Sequence, residues 1–226
     1  MTVRSLSLSV IALAVGIGPA CAQAAVSRCG SGACVNLVFD GDSISAGSGA
    51  TPGHGLDAGV TAALGDGVRL HNVAVGGRPV SDCLRLYGGT VEPLFDASAS
   101  HNVIVFHAGD NDINLRSSAA RTYAAFTAYV DRAHQQGWKV VVSTELWVFS
   151  FDARRAAQLK EYNTRLIENK AGADAVVDFD ADPRMTNVAD RQNPALFSHD
   201  GIHPSDGGYA ILTAMLAPAV KRVADR

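Results

Sequence analysis

The chain has 226 residues, of which 47% are hydrophobic and 18% charged, and its formal net charge is −3. This length and composition fit one globular domain with a sizeable core, and two domains of ordinary size would be cramped. The slightly acidic balance offers no electrostatic basis for binding nucleic acid or an anionic membrane surface, so neither is expected as a partner.

The first 25 residues have the pattern of a secretory signal peptide. Arg4 supplies a positive charge, Leu6–Ile17 carries no charge and is mainly apolar, and Ala22-Gln23-Ala24 offers the small residues that cleavage requires. The apolar run is shorter than the roughly 20 residues that span a bilayer, which favours cleavage over a membrane anchor. We therefore expect a signal peptide at 1–25, a mature domain at 26–226, no stable membrane insertion and a secreted or periplasmic location.

Export would place the cysteines in an oxidising compartment. Cleavage removes Cys21 and leaves Cys29, Cys34 and Cys83. Cys29 and Cys34 stand in the segment CGSGAC, where the glycines allow a tight loop, so we expect these two to form a disulfide. Cys83 is then the odd thiol and is expected to be a small buried hydrophobe. The spacing does not resemble a zinc site, which would need a second pair, and no metal is expected.

The body of the chain alternates short apolar runs with longer amphipathic segments. The predicted strands are Val35–Phe39, Val68–Val75, Asn102–His107, Lys139–Thr144 and Ala175–Phe179. The predicted helices are Gly55–Leu64, Val80–Phe95 with an interruption at Gly88-Gly89, Ser117–Gln136 with Gly137 as C-cap, Ala153–Lys170, and Tyr209–Val223 with a kink at Pro218. This alternation predicts an α/β fold in which helices cover both faces of a parallel sheet.

Polar segments that contain glycine follow three of the predicted strands. They are Asp40–Ser43, Asn72–Gly77 and Gly109–Asp112. Parallel strands place such segments at one edge of the sheet, where open α/β sheets bind ligands. Ser43, just past the tip of a buried strand, is well placed for chemistry there. By itself, however, Asp-Gly-Asp-Ser is equally typical of an ordinary turn.

A fourth polar segment, Asp200–Pro204, precedes the last helix. Pro204 favours an extended backbone at His203. An aspartate three residues before a histidine in a bent loop can accept a hydrogen bond from Nδ1 of the imidazole, which leaves Nε2 free to act as a base. His199 ranks below His203, because a residue directly beside Asp200 usually points elsewhere.

Taken together and in this order, the four segments resemble the sequence blocks of the SGNH, or GDSL, hydrolase superfamily of esterases, lipases and carbohydrate deacetylases. The resemblance covers the whole predicted mature chain. It implies a three-layer α/β/α sandwich with a five-stranded parallel sheet of flavodoxin-like type. It also implies a catalytic triad, in which Ser43 is the nucleophile, His203 the base and Asp200 the acid that orients the base.

The same resemblance implies an oxyanion hole made by the backbone N–H groups of Ser43 and Gly77 and by the side-chain amide of Asn111. The second block often has an extra glycine where this chain has Ala74, but the donor position at Gly77 is retained. Such a site would cleave carboxylic esters through an acyl-enzyme. We expect a short-chain or acetyl ester of a small molecule or carbohydrate as substrate, no cofactor, and a monomer.

Several neighbouring residues have more than one interpretation. Trp147, Phe149 and Phe151 follow the fourth strand and could line an acyl or sugar pocket or cover the core, and the strand-end position favours the pocket. Arg78 could contact a polar substrate or pair with a surface acid. His107, at a strand end, is more typical of a packed histidine than of a catalyst. Asp42 and Asp112 are expected to hold backbone turns.

An alternative from another class is a magnesium-dependent phosphatase, because Asp40-Gly41-Asp42 also resembles the first motif of haloacid-dehalogenase-type enzymes. Asp40 would then be the nucleophile, and Gly109–Asp112 could hold Mg²⁺. The order of the remaining segments disagrees, since Ser143-Thr144 follows Gly109–Asp112 where it should precede the metal-binding acids. This alternative also leaves Asp200–His203 without a role. A binding module with a dead site is weaker still, because every catalytic part is present.

Overall fold

The fold is seen in a computed structural model of the protein, which describes residues 34–148, 150–186 and 188–225, without the side chains of Val188 and Asp190. The predicted signal peptide, Cys29 and Phe149 lie outside the described residues, so the predictions made for them stay predictions. Within the described part of the chain, no helix is long and apolar enough to cross a membrane.

The centre of the fold is a five-stranded parallel sheet, as predicted. The strands are β1 (Val35–Gly41), β2 (Val68–Asn72), β3 (His101–His107), β4 (Lys139–Ser143) and β5 (Ala175–Val177). Their order across the sheet is β2-β1-β3-β4-β5, and every neighbouring pair is parallel. The order changes direction at β1, which places β1 between β2 and β3 and makes the crevice beyond its carboxyl end the expected ligand site.

Helices cover both faces of this sheet. They are α1 (Leu56–Leu64), α2 (Val80–Thr90), α3 (Asp110–Asn114), α4 (Ala119–Gln136), α5 (Ala153–Glu168), α6 (Pro183–Thr186) and α7 (Asp206–Ala224), with 3₁₀ turns at Glu92–Leu94, Phe179–Ala181 and Val188–Gln192. Alternate residues of β1 enter two separate cores. Leu37 and Phe39 join a core that includes residues of α1 and α7, whereas Val38 joins one that includes residues of α2, α4 and α5. The three-layer α/β/α sandwich is thereby confirmed.

Two helices differ from their predicted bounds by three residues or more, and strand β2 ends at Asn72 where Val75 was predicted. Helix α2 ends at Thr90, before the predicted end at Phe95. Gly88-Gly89 do not interrupt α2, which runs through them to Thr90. Each glycine costs a helix about 1 kcal/mol relative to alanine, but Val80, Cys83 and Tyr87 bury one face of α2 and hold it in place. The last helix begins at Asp206, three residues before the predicted start.

The early start of α7 has a packing cause. A Cβ atom added to Gly207 or Gly208 would lie 2.1 Å from the carbonyl oxygen of Ala195 or Leu196, respectively. Only glycine permits this close approach between the first turn of α7 and the chain before it. The approach brings the 195–205 segment, which contains Asp200 and His203, against the start of the helix. The predicted C-cap at Gly137 is confirmed, with a left-handed backbone of φ +99°. Pro218 lies inside α7, which continues past it to Ala224, and the kink expected there stays a prediction.

Candidate active site

The turn that carries Ser43 is fixed by the backbone of β3. The N–H of Asp42 donates to the carbonyl of His107 at 3.0 Å. A Cβ on Gly41, where φ is +132°, would lie 1.9 Å from that same carbonyl oxygen, so this approach requires glycine. The Asp42 carboxylate accepts the N–H of Ile44 at 2.9 Å and is fully buried, which agrees with its expected role in holding the turn.

The structure joins Ser43, His203 and Asp200 in one chain of hydrogen bonds. Ser43 Oγ lies 2.9 Å from His203 Nε2, although the two residues are 160 positions apart. His203 Nδ1 lies 2.6 Å from Asp200 Oδ2. The other Asp200 oxygen accepts hydrogen bonds from Ser198 Oγ at 2.7 Å and from the N–H groups of Ile202 and His203 at 2.9 and 3.0 Å. A serine, an imidazole and an anchored carboxylate therefore stand in line.

The charge state of Asp200 follows from these contacts. Partial burial acts to raise the pKa of Asp200, but the hydrogen bonds from His203, Ser198 and two backbone N–H groups outweigh it and hold that pKa well below its usual value. A carboxylate can only accept hydrogen bonds, so the proton of a neutral His203 must lie on Nδ1. Nε2 is then left with a lone pair that faces the Ser43 hydroxyl.

Gly76, Gly77 and Asn111 lie on the other side of Ser43. A Cβ built on Gly76 would be 3.6 Å from Ser43 Cβ, so the turn after β2 lies directly against the serine. Gly77 has a left-handed backbone, with φ of +77°. The side-chain nitrogen of Asn111 is buried and donates no hydrogen bond to any of the described residues. A buried donor left without a hydrogen bond costs about 1–3 kcal/mol, so this amide is available to donate to a bound group.

Asp112 links the turn after β2 to the helix of Asn111. It is 5% exposed, and its carboxylate accepts the N–H of Val80, at the start of α2, at 2.8 Å. Burial raises the pKa of Asp112 to about 6, against the hydrogen bonds from backbone N–H groups that act to lower it. Asp112 thus holds backbone, as expected, and it keeps the Gly77 and Asn111 segments at a fixed separation.

These groups surround a cleft of about 390 Å³. Its lining includes Ser43, Ser48, Gly76, Gly77, Asp110, Asn111, Asn114, Val148, Ser150, Phe151, Ile202 and His203. Trp147 is not among the described residues that line it, and its carbonyl accepts a hydrogen bond from Arg191. Val148 and Phe151, from the same loop after β4, contribute the apolar wall instead. The sequence thus predicted the correct loop and Phe151 within it, but not Val148.

His199 is separate from this cleft. It lines a second cavity, of about 410 Å³, together with Arg191, Phe197 and the backbone side of the Asp200 loop. His203 therefore is the histidine that reaches Ser43, as the ranking of the two histidines predicts.

His107 belongs to a buried polar cluster beneath the site. It is fully buried, with Nδ1 at 2.8 Å from Ser143 Oγ and Nε2 at 3.3 Å from Glu145 Oε2. Burial lowers the pKa of His107 to about 3, so the ring is neutral and packed, as expected. The donor atoms of Asp42, His107 and Glu145 lie within 4.8 Å of one another and form the one group with metal-ligand spacing in the described part of the chain. Burial also raises the pKa of Asp42 and Glu145, which lets bound protons neutralise these carboxyls without a cation.

Asp40 is not placed to attack a substrate. It is fully buried, and its carboxylate accepts hydrogen bonds from Gly41 N at 2.8 Å, Arg78 Nη1 at 3.0 Å and Tyr129 OH at 2.8 Å. The phosphatase alternative required a free Asp40 carboxylate and loses its nucleophile here. The same contacts settle Arg78, which pairs with this buried acid; the sequence had left open a substrate or a surface acid as its partner.

Comparison with known proteins agrees with this geometry. Residues 39–211 match the model of the GDSL-like lipase/acylhydrolase family. No curated protein sequence matches the chain. Among solved structures, a lipolytic protein of the G-D-S-L family from Veillonella parvula is similar with a TM-score of 0.65 and 20% identity, covering 85% of this chain and 99% of that one.

Two named esterases have the same fold. The esterase EstA from Pseudoalteromonas, solved with monoethylphosphonate as inhibitor, gives a TM-score of 0.64 at 17% identity and covers 84% of this chain and 99% of its own. The acetylxylan esterase Axe2 from Geobacillus stearothermophilus gives 0.61 at 18% identity, over 86% and 96% of the two chains. At such identities these likenesses show the fold alone, whereas the family model spans most of the chain. The chain therefore belongs to the GDSL-like lipase/acylhydrolase family and is a carboxylic ester hydrolase.

Proposed function

We propose that this protein is a secreted serine esterase that cleaves short-chain or acetyl esters through an acyl-enzyme. The observation that carries the proposal is the hydrogen-bonded line Ser43–His203–Asp200, with contacts of 2.9 and 2.6 Å. Asn111 lines the same cleft as Ser43 and His203, and its side-chain nitrogen donates to none of the described residues. A nucleophile, a base, an acid that orients the base and an oxyanion donor are thereby within reach of one carbonyl group.

The reaction begins when His203 Nε2 takes the proton of Ser43 and Oγ attacks the ester carbonyl carbon. The carbonyl oxygen becomes an oxyanion, which accepts hydrogen bonds from the N–H groups of Ser43 and Gly77 and from the Asn111 amide. Asp200, ionised at neutral pH, stabilises the imidazolium. The C–O bond to the alcohol then breaks, and the alcohol leaves with the proton from His203.

The acyl group remains as an ester on Ser43. A water molecule gives its proton to His203 and attacks the acyl carbon, forming a second tetrahedral intermediate in the same oxyanion hole. This collapses to release the carboxylic acid, and Ser43 regains its proton from the imidazolium. The cycle consumes one ester and one water, and it needs no cofactor.

The shape of the cleft supports a small acyl group. Its volume of about 390 Å³ must hold the acyl and the alcohol part of the substrate together. Val148, Phe151 and Ile202 offer short apolar contacts, while Asn114 and Ser150 offer polar groups that suit an alcohol rich in hydroxyls. The acetylxylan esterase among the structural neighbours supports an acetylated carbohydrate as one such substrate.

The decisive assay measures the purified protein on aryl esters of increasing acyl length, with acetylated xylan in parallel. We expect kcat/KM to be highest for acetyl or butyryl esters and to fall with longer chains, and Ser43→Ala to abolish turnover. Ser81→Ala, an exposed serine on α2, serves as the matched control and should keep full activity. Turnover that survives in Ser43→Ala, or a preference for long acyl chains, would contradict the proposal.

Export remains part of the proposal on the evidence of the sequence. The charged start, the uncharged, mainly apolar stretch and the small residues at 22–25 support cleavage near Ala24 or Ala25. Expression of the full chain in a bacterial host tests this, because the intact mass of the periplasmic protein reports the cleavage position. Accumulation of the uncleaved chain in the cytoplasm would argue against it.

A further inference from the structure

Arg78 immediately follows the proposed oxyanion donor Gly77, and its side chain turns back into the protein. Its Nη1 atom donates to Asp40 Oδ1 at 3.0 Å and to the carbonyl of Val73 at 3.0 Å. Arg78 is 9% exposed and Asp40 fully buried. The guanidinium thus crosses beneath the turn after β2 and attaches it to the end of the neighbouring strand β1.

The acceptor of this contact is itself held in place. Asp40 Oδ2 accepts the hydroxyl of Tyr129 at 2.8 Å, and Asp40 Oδ1 also accepts the N–H of Gly41 at 2.8 Å. Tyr129 lies on α4, is fully buried and packs edge-on against Tyr87 of α2. Sheet and helix layer therefore both fix the Asp40 carboxylate, which lies only three residues before Ser43 in the chain.

By contrast, the Gly77 peptide is held through its flanking residues, and on the amino side Val75 N donates to the carbonyl of Gly41 at 3.1 Å. Apart from its two chain neighbours, no described residue has a heavy atom within 4 Å of a Cβ built on Gly77, so none of them packs against Gly77 on that side. Its left-handed backbone is available to glycine at low cost but is not enforced by it, since glycine is conformationally free. The orientation of the N–H group must come from the anchors that flank it. On the carboxyl side these are the backbone N–H of Arg78, which donates to the carbonyl of Val75 at 3.1 Å, the Arg78 side chain, and the hydrogen bond from Val80 N to Asp112.

We propose that Arg78 and Asp40 are positioning residues, which aim the N–H of Gly77 at the oxyanion by anchoring the turn to β1. This inference rests on the proposed function, since it assigns a task within that site. An oxyanion donor acts only when it is pre-organised, and displacement by about 1 Å is enough to cost a large factor in rate. Neither side chain lines the cleft among the residues described there, so their effect passes through the backbone.

The expected size of the effect is bounded by the loss of a whole donor. Removing one oxyanion donor lowers kcat by about 10²–10³-fold. Arg78→Met leaves the Gly77 N–H in the protein but frees its turn, so we expect kcat to fall by roughly 10–100-fold, below that limit. KM should change by less than about threefold, because the donor acts on charge that develops in the transition state.

The experiment compares Arg78→Met, Arg78→Lys and Asp40→Asn with wild type on a short-chain aryl ester. Asp40→Asn keeps the shape of the acceptor and should lower kcat by less than Arg78→Met does. Arg78→Lys keeps the charge and should recover part of the loss. Arg85→Met is the matched control, since Arg85 makes an exposed ion pair with Asp82 on the same helix and should leave kcat and KM unchanged. Thermal unfolding of each variant sets an assay temperature at which all are folded.

The outcomes separate this inference from the proposed function. If wild type hydrolyses no ester, the proposed function fails. If wild type is active and folded Arg78→Met keeps kcat within threefold, or raises KM with kcat unchanged, the positioning role is wrong. Should Arg78→Met not fold, the other two variants decide, and full kcat in both Arg78→Lys and Asp40→Asn would overturn the proposal.

Discussion

Replacing Asn111 by alanine should separate activity from stability in this protein. The side-chain nitrogen of Asn111 is buried and has no hydrogen-bond partner among the described residues, yet Asn111 lines the same cleft as Ser43 and His203. Loss of one oxyanion donor corresponds to about 3–4 kcal/mol at the transition state, so kcat should fall by about 10²–10³-fold while KM changes little.

The effect on folding should have the opposite tendency. An unsatisfied buried donor costs the folded state about 1–3 kcal/mol, and its removal returns that amount. Truncation of the side chain loses about 1 kcal/mol of packing, at roughly 0.8 kcal/mol for each buried CH₂-sized group. The free energy of unfolding of Asn111→Ala should therefore equal that of wild type or exceed it by up to about 2 kcal/mol.

Steady-state kinetics on a short-chain aryl ester and chemical denaturation, followed by circular dichroism, measure the two quantities. Ser81→Ala is a suitable control, because Ser81 is exposed on α2 and is not among the residues that line the cleft. The oxyanion assignment is refuted if Asn111→Ala raises KM alone. A loss of stability greater than about 1 kcal/mol would show that the amide has a structural partner.

Four further predictions concern the other groups of the molecule. His203→Ala should remove nearly all turnover, and Asp200→Ala should cost less, because the imidazole remains and loses only the group that orients it; single-turnover kinetics would show equal losses if this is wrong. Ser43→Ala should abolish ester hydrolysis, Asp40→Asn should keep at least a tenth of it, and EDTA should have no effect. A magnesium-dependent phosphatase activity that is lost only in Asp40→Asn would instead support the phosphatase alternative. The pKa of His107 is about 3 in the folded state, below the unfolded value of 6.5, so between these pH values only the unfolded chain binds the proton. As the pH falls from 6.5 towards 3, wild type should therefore lose up to about 4–5 kcal/mol of stability relative to His107→Gln. An equal change in the stability of the two proteins over that range would contradict this. A Cys29–Cys34 bond should contribute at most about 2–3 kcal/mol, because so short a loop removes little chain entropy, and intact mass with and without reductant tests it, since three free thiols in the non-reduced mature protein would exclude the bond.

Much of the fold could be predicted because its signals are local. Apolar runs of strand length alternate with helical periodicity, and this alternation alone predicts a parallel sheet covered on both faces. The segments at the strand tips are also local, and their order along the chain predicted which residues the fold would bring together. Ser43, Gly77, Asn111, Asp200 and His203 all lie at one cleft or in the chain of hydrogen bonds beside it.

Other features depend on partners that are distant in sequence, and only the tertiary structure decided them. Gly88-Gly89 are weak helix formers, yet α2 continues through them because its apolar face is buried. The start of α7 was misplaced because Gly207 and Gly208 have the composition of a loop. Their small size instead serves the close approach to Ala195 and Leu196, which no local pattern reveals.

The site shows the same division. The pattern Asp200-x-x-His203 predicts its own hydrogen bond, because both residues lie within one bent loop. Arg78 carried no comparable signal, since its partner Asp40 lies 38 residues earlier and on a neighbouring strand. The strand order that puts β2 beside β1 decides that contact, and strand order is set by how the layers pack against one another. The sequence by itself thus determined the secondary structure alternation and the chemistry at the strand tips, whereas tertiary packing determined which buried charges hold that chemistry in place.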